Sequence, residues 1–426
     1  MALGIDFGTV ASGDGDTLFA AFTKINNMFT TTTKLGNGDM VFGRDGGITV
    51  GKGGGTSYGA TAVGQDTLTN ATGMDNTAIG WSALNANTSS SFNTAIGSNA
   101  MKNATGSTAG SNVAIGVSAL KNTVSNNNVA IGNGCMENST TTNASSNTAI
   151  GVNCLRNTTG YSNIAIGVNS LNANTSGYYN VAVGVSSQES SQTASGNTSL
   201  GNYSLYNANT GNSNTAIGYG ALQINSSGLN NTAIGFGALN GNTVFFNVTG
   251  LGCNAQVTAD NQLQLGDSNA SVYTQSAINL RSDERDKTEI RDTVLGLDFI
   301  NELRPVDYKW DMREDYKTEM PIPLELDATE EEKYSHKILM DEWIESVKLD
   351  NLTHDGTHTR TRYHHGLIAQ EVQDVIEASG VDFGGFQDHS VNGGQDVLSI
   401  GYTELIAPMI KAIQELTARI NVLEGN

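Results

Sequence analysis

Asn76-Thr77-Ala78-Ile79-Gly80 returns as Asn93-Thr94-Ala95-Ile96-Gly97, then as Asn112-Val113-Ala114-Ile115-Gly116, and so on to Asn231-Thr232-Ala233-Ile234-Gly235. Its glycine heads a column that runs Gly64, Gly80, Gly97, Gly116, Gly132, Gly151, Gly167, Gly184, Gly201, Gly218, Gly235, Gly252 and Gly266, at intervals of 14 to 19 residues and most often 17. For the ten glycines from Gly80 to Gly235, the residue four before is Asn each time. The residue one before is Ile, Val or Leu, and the one two before is Ala except at Ser199. A small-plus-large pair often follows three and four residues after the glycine, as in Ala83-Leu84, Cys154-Leu155 and Ala221-Leu222. One structural unit therefore recurs about every 17 residues.

A unit of this length, with one Gly turn, a short apolar pair and no 3.6-residue period, reads as one coil of a β-solenoid with two short strands. The expected fold is mainly β, a β-roll or β-solenoid roughly 60 Å tall at about 4.8 Å per coil. Ile on one face of N-T-A-I-G and Ala on the other are both compatible with burial. A sheet buried on both faces needs neighbours on both sides, which a trimer of rolls would supply. The Asn column can stack as a ladder of side-chain amides and satisfy turn backbone groups from coil to coil.

Composition agrees with repetition. Of 426 residues 50 are Gly, while 15% are charged and 7% aromatic, too few large side chains for one thick core. The net charge of −20 argues against nucleic acid or an anionic membrane surface as partner. The three cysteines lack zinc-type spacing and are too few for a disulfide framework, which fits folding in a reducing compartment such as a cytoplasm. Met1 to Gly8 has no signal-peptide pattern, and there is no run of 18 apolar residues, so neither export nor a membrane span is expected.

Charge divides the chain. Residues 1–60 hold 4 basic and 5 acidic residues, 61–280 hold 3 and 6, and 281–426 hold 15 and 31, for nets of −1, −3 and −16. All four prolines and all six histidines lie beyond residue 300. The expected domains are an N-terminal segment 1–59, the repetitive roll 60–276 and a C-terminal domain 277–426. In the first, Leu18, Phe22, Ile25 and Phe29 fall at helical spacing behind Asp16 and Thr17, which suit an N-cap.

The sharpest chemical signal is Ser282-Asp283-Glu284-Arg285-Asp286-Lys287. A Ser and a Lys can act as nucleophile and base: the uncharged amine takes the hydroxyl proton as Oγ attacks a neighbouring carbonyl. Five residues would set the two roughly 140° apart on a helix, so the pair requires a turn or extended segment. At the other end, Ile406, Ile413 and Ile420 occupy a and Met409, Leu416 and Leu423 occupy d of a heptad, a coiled-coil seam. Ile at a with Leu at d by itself mildly favours a dimer. Between Trp310 and His364, residues 311–350 carry 13 acidic and 5 basic residues.

These segments carry resemblances. The repeats over about 60–266 resemble the head repeats of trimeric autotransporter adhesins and similar repeats in phage fibres. Gly13 to Asn26 looks like a segment common at the front of phage tail proteins, which would dock on tail or baseplate proteins. The 282–287 stretch resembles the start of the endosialidase-type intramolecular chaperone, a self-cleaving domain at the ends of phage fibres and tailspikes. Leu303-Arg304-Pro305-Val306 with Tyr308 and Trp310, His364-His365-Gly366-Leu367-Ile368-Ala369-Gln370-Glu371-Val372, and Tyr402 to Pro408 with the helix behind them extend that resemblance to 282–426.

It implies an α+β chaperone domain, Ser282 as nucleophile, Lys287 as its base, and Asp283, Arg285, His364, Gln370 and Glu371 as supporting motif residues. It also implies an arm in the acidic stretch that holds the fibre during folding, and three chains. The whole reading is a homotrimeric virion tail fibre that meets a host-surface receptor, a glycan or an outer-membrane component, and cuts itself at Ser282 without cofactor or metal.

Other motifs weigh less. Gly46, Gly51 and Lys52 imitate a phosphate loop, but Gly53 stands where Ser or Thr must bind magnesium. His354, His358, His364 and His365 read as surface residues rather than a metal set, and Cys135 and Cys154 as small buried residues. The alternatives are a trimeric surface adhesin and a polysaccharide-degrading tailspike. The latter needs two carboxylates roughly 5 to 10 Å apart, whereas Asp66, Asp75, Glu137, Glu189, Asp260 and Asp267 are spread over different coils.

Overall fold

The computed structural model describes residues 40–42, 48–51, 58–105, 109–208, 210–241, 244–267, 270, 272–273, 275, 282–318, 321, 330–391 and 396–425. The amphipathic stretch Leu18 to Phe29 lies outside the described residues. The chain forms two compact units, Met1–Val244 and Phe245–Asn426.

The first unit is a parallel β-solenoid with one three-residue strand per coil. Two antiparallel strands, β1 (Met40–Phe42) and β2 (Ile48–Gly51), lead into β3 (Thr61–Val63), with Val50 opposite Val63. Of the imitation phosphate loop, Gly51 ends the paired strand β2, while Gly46 and Lys52 lie outside the described residues. From β3 the ladder is parallel and in register through β4 (Thr77–Ile79), β5 (Thr94–Ile96), β6 (Val113–Ile115), β7 (Val129–Ile131), β8 (Thr148–Ile150), β9 (Ile164–Ile166), β10 (Val181–Val183), β11 (Thr198–Leu200), β12 (Thr215–Ile217) and β13 (Thr232–Ile234). Equivalent residues stack on one another, Ala78 on Ala95 and Ile79 on Ile96.

The second strand expected in each coil is a turn. Its residues two and four after the glycine take left-handed backbone, as at Ser82 (φ 55°), Leu84 (φ 50°), Asn99 (φ 58°) and Met101 (φ 49°). A left-handed leucine is costly by about 1–2 kcal/mol. The turn tolerates it because the alternation aims backbone groups along the solenoid axis. Ser82 N–H donates to Gln65 O in the coil before (2.9 Å), and Leu84 N–H to Ala100 O in the coil after (3.0 Å). The same geometry turns each Leu or Met inward, where Leu84, Met101, Leu120, Met136 and Leu155 are fully buried. Burying such a side chain contributes about 1.5–3 kcal/mol, enough to offset the backbone cost.

The Asn column forms the expected ladder, with a sharper division of labour. Each Oδ1 accepts the backbone N–H of the next Asn, as from Asn93 to Asn76 (3.0 Å) and from Asn180 to Asn163 (3.0 Å). Nδ2 donates in most coils to a turn carbonyl, as Asn163 to Gly177 (2.9 Å) and Asn197 to Gly211 (2.8 Å), and at Asn128 to the Ser125 hydroxyl (3.0 Å). Within the chain the Ala face of the strands is closed. The other face holds half-exposed Ile, Val and Leu, including Ile79, Ile166 and Ile234, with Leu200 50% exposed. Cys135 and Cys154 are buried one coil apart, their thiols on the carbonyls of Gly151 (2.7 Å) and Gly167 (2.6 Å).

The second unit begins with two coil strands, β14 (Thr249–Leu251) and β15 (Leu263–Leu265), paired in parallel. It continues as a small α+β arrangement. Helix α1 (Leu297–Glu302) is followed by β16 (Val306–Tyr308), helix α2 (Glu330–Ser346), β17 (His364–Gly366), helix α3 (Ala369–Ser379), β18 (Phe386–Asp388), β19 (Leu398–Ile400) and helix α4 (Ile406–Glu424). β16 pairs with β17 and β18 with β19, both antiparallel. Leu295, Phe299, Val372, Phe383 and Leu405 form the core, with the Phe299 and Phe383 rings 5.5 Å apart. Glu415 on α4 accepts the N–H of Leu297 at the start of α1 (2.8 Å), a cap supplied from 118 residues away. Among the described residues no helix is long and apolar enough to cross a membrane.

Candidate functional site

Ser282 and Lys287 meet because a single tight turn lies between them. Asp283 caps it: its Oδ1 accepts the N–H of Arg285 (2.9 Å), and its carboxylate grips the Arg285 guanidinium through Nε (3.0 Å) and Nη2 (2.5 Å). That grip holds the Asp283 carboxyl below the usual carboxylate range and raises the Arg285 guanidinium. The 3-10 turn Glu284–Asp286 closes as Lys287 N–H donates to Glu284 O (3.0 Å). The Lys287 side chain then folds back so that Nζ donates to Ser282 Oγ at 2.7 Å. Asp283 and Arg285 therefore shape the turn, while serine and amine face each other. In the single chain both are exposed to water.

Of the other motif residues, Glu371 in the first turn of α3 binds Arg304 by two hydrogen bonds, one of 3.0 Å from Nε, and that cation lowers its carboxyl. The pair borders a shallow cleft with Leu303, Leu367, Ile368 and Val372. His364 on β17 packs among Tyr308 (6.0 Å) and Trp310 (6.2 Å). Gln370 is exposed at the start of α3. Among the described residues, Lys287 is the hydrogen-bond partner of the Ser282 hydroxyl, and none of these three residues bonds to it. Glu371 and His364 tie the domain's helix and strands together rather than joining the serine.

Residues 282–325 match the family model described as chaperone of endosialidase. The match begins at Ser282 itself and takes in Lys287, α1, Arg304 and β16. No curated protein and no solved structure matches the chain. The matched segment thus starts where the solenoid strands have ended.

The histidines serve structure. His354 Nδ1 lies 3.2 Å from Asp311, His365 Nδ1 lies 2.6 Å from Asp307 across the β16–β17 pair, and the His358 ring stands edge-on to Tyr316. Along α4, Pro408 and Ala412 are buried. The heptad residues Ile406, Met409, Ile413, Leu416, Ile420 and Leu423 are all exposed, Ile413 by 62%. Two contacts were not legible as site features in the sequence: the Arg304 to Glu371 pair and the Glu415 cap. Both join residues far apart in the chain; Arg304 and Glu371 each lie in a quoted segment, but nothing in the sequence pairs them.

Proposed function

We propose that this chain is a structural fibre of a bacteriophage tail, assembled as a trimer, whose C-terminal domain guides folding and then severs the chain at Ser282. A β-solenoid followed by a chaperone-of-endosialidase segment fits a tail-fibre or tailspike-like protein. The observation that carries the cleavage reading is the 2.7 Å approach of Lys287 Nζ to Ser282 Oγ at the first residue of the matched segment. The amine takes the serine proton as Oγ attacks a neighbouring carbonyl, and the amide nitrogen leaves with a proton. Water then hydrolyses the ester and restores the serine. The exposure of the pair in one chain suggests an order of events: association of three chains removes water from the turn, so cleavage follows assembly.

Two apolar surfaces support the trimer, the outer Ile/Val/Leu stripe of the solenoid and the exposed a and d residues of α4. The N-terminal segment would dock on tail or baseplate proteins, and the roll would present the virion to a glycan or outer-membrane receptor. Fibre is favoured over tailspike enzyme by the fate of the carboxylates. Glu137 is neutralised by Arg156 (2.8 Å) and Lys121 (3.5 Å), and the Asp260 carboxylate accepts the N–H of Phe246.

Denaturing gels of wild type, Ser282→Ala and Lys287→Ala made in parallel test the chemistry. Wild type is expected to yield a fragment near the size of 1–281, and the variants to stay whole. The same fragment from either variant would overturn the dyad.

A further inference from the structure

Within the second unit, the β14–β15 coil and the chaperone domain meet at His389. This residue follows β18, and its Nδ1 lies 2.5 Å from Thr258 Oγ1 and 3.3 Å from Gln262 Nε2. Its Nε2 lies 3.0 Å from Ser399 Oγ on β19. Thr258 and Gln262 belong to the turn between β14 and β15.

The proton on the ring can be placed from its neighbours. Gln262 Oε1 accepts the backbone N–H groups of Thr258 (2.8 Å) and Ala259 (3.2 Å), which fixes that amide with its NH₂ toward the imidazole. With that NH₂ facing Nδ1 and the nearer Thr258 hydroxyl free to donate to it, we assign Nδ1 as acceptor and the proton of the neutral ring to Nε2, toward Ser399. A charged imidazolium would oppose an N–H to the Gln262 NH₂.

Burial pushes the His389 imidazole below its usual value, against a smaller upward pull from Asp388. The carboxylates on the elements around the ring are otherwise engaged. Asp388 accepts from the Ser390 N–H (2.9 Å) and hydroxyl (2.6 Å), Asp260 from Phe246 N–H (2.9 Å), and Asp396 lies 3.8 Å from Arg313.

We infer that the turn 258–262 is a seat for the chaperone domain, gripped through neutral His389, and that after scission this seat retains the severed C-terminal fragment until His389 is protonated. The inference rests on the proposed cleavage at Ser282 for its consequence, but not for the contact. The sign follows from the depressed imidazole. Docking is fully favoured above the free histidine value of about 6.5 and is lost as pH falls through the lower docked value.

Gel filtration of the self-cleaved protein tests it. At about pH 8 the fragment is expected to co-elute with the fibre, and at about pH 5 the free fraction is expected to rise severalfold. Thr258→Val with Gln262→Leu should release the fragment at both pH values. Retention that ignores pH, or that survives the double substitution, would overturn the seat. In Ser282→Ala, which stays whole, amide exchange across 258–262 should rise severalfold in acid when His389 is present and stay flat in His389→Gln. Flat exchange with His389 present overturns the seat even if cleavage is sound, while a wild type that never cuts overturns only the Ser282 reading.

Discussion

At Gly167 the chain leaves no room for a side chain. Its φ is 130°, and a Cβ built there would stand 2.4 Å from the carbonyl oxygen of Gly184 in the next coil. Gly167→Ala combines strain with a backbone clash, so a loss of about 3 kcal/mol or more is expected in urea unfolding. Four residues earlier, Asn163 both accepts from Asn180 N–H and donates to Gly177 O. Asn163→Ala orphans both buried groups at about 1–3 kcal/mol each. Asn163→Asp keeps the acceptor but loses the donor and buries a charge, and should also destabilise. Unfolding of Asn163→Ala indistinguishable from wild type would show the ladder to be ornamental.

At the scale of elements, the coil core is one Ala column and one Leu column. Leu155→Ala removes most of what one coil contributes, at about 2–5 kcal/mol, read as a lower unfolding midpoint. Helix α4 is two-faced: Pro408, Ala412 and Glu415 look to its own domain while Ile413 and its heptad partners look outward. Ile413→Asp should leave the domain folded by circular dichroism but shift sedimentation from the proposed trimer to monomer and suppress the proposed cleavage; cleavage at the wild-type rate by monomers would separate assembly from chemistry.

The coil, its period, the Asn ladder and the Ser282 to Lys287 approach were legible in the sequence because each is local or repeats in register. The left-handed turn was not, since leucine at positive φ contradicts intrinsic preference and is selected only by burial and intercoil bonding. The hairpin β1–β2 was missed because Gly-rich Gly43 to Gly55 reads as loop. His389 gave no signal, since its partners Thr258 and Gln262 lie 131 and 127 residues away.

For the whole molecule, the hazard is slippage among near-identical coils. Within the first unit Gln188 breaks the monotony inside: it stands where the coils from Gly64 to Gly235 otherwise place Leu or Met, and its amide bonds Ser199 Oγ (2.8 Å) and Val181 O (3.0 Å). Only one register meets those groups. Residues 282–426 are proposed to align three chains before the roll zips. Residues 1–281 expressed alone should therefore give insoluble or protease-sensitive material, and soluble protease-resistant trimers from that fragment would refute the chaperone role. Scission at Ser282 would then separate residues 282–426, with 14 basic and 31 acidic residues and a net of −17, from the solenoid's covalent chain.

The stacking of identical glycines and asparagines has a different consequence for length. From Gly80 to Gly235 the coils present one Asn acceptor and one bare glycine apiece, in the same register, to their neighbours. A whole unit such as residues 163–179 can therefore be duplicated or removed without leaving a mismatched joint. The solenoid is in that sense a graduated ruler, with its reach adjustable in steps of about 4.8 Å. Unequal recombination between the repeats would change that reach while leaving both ends of the protein untouched.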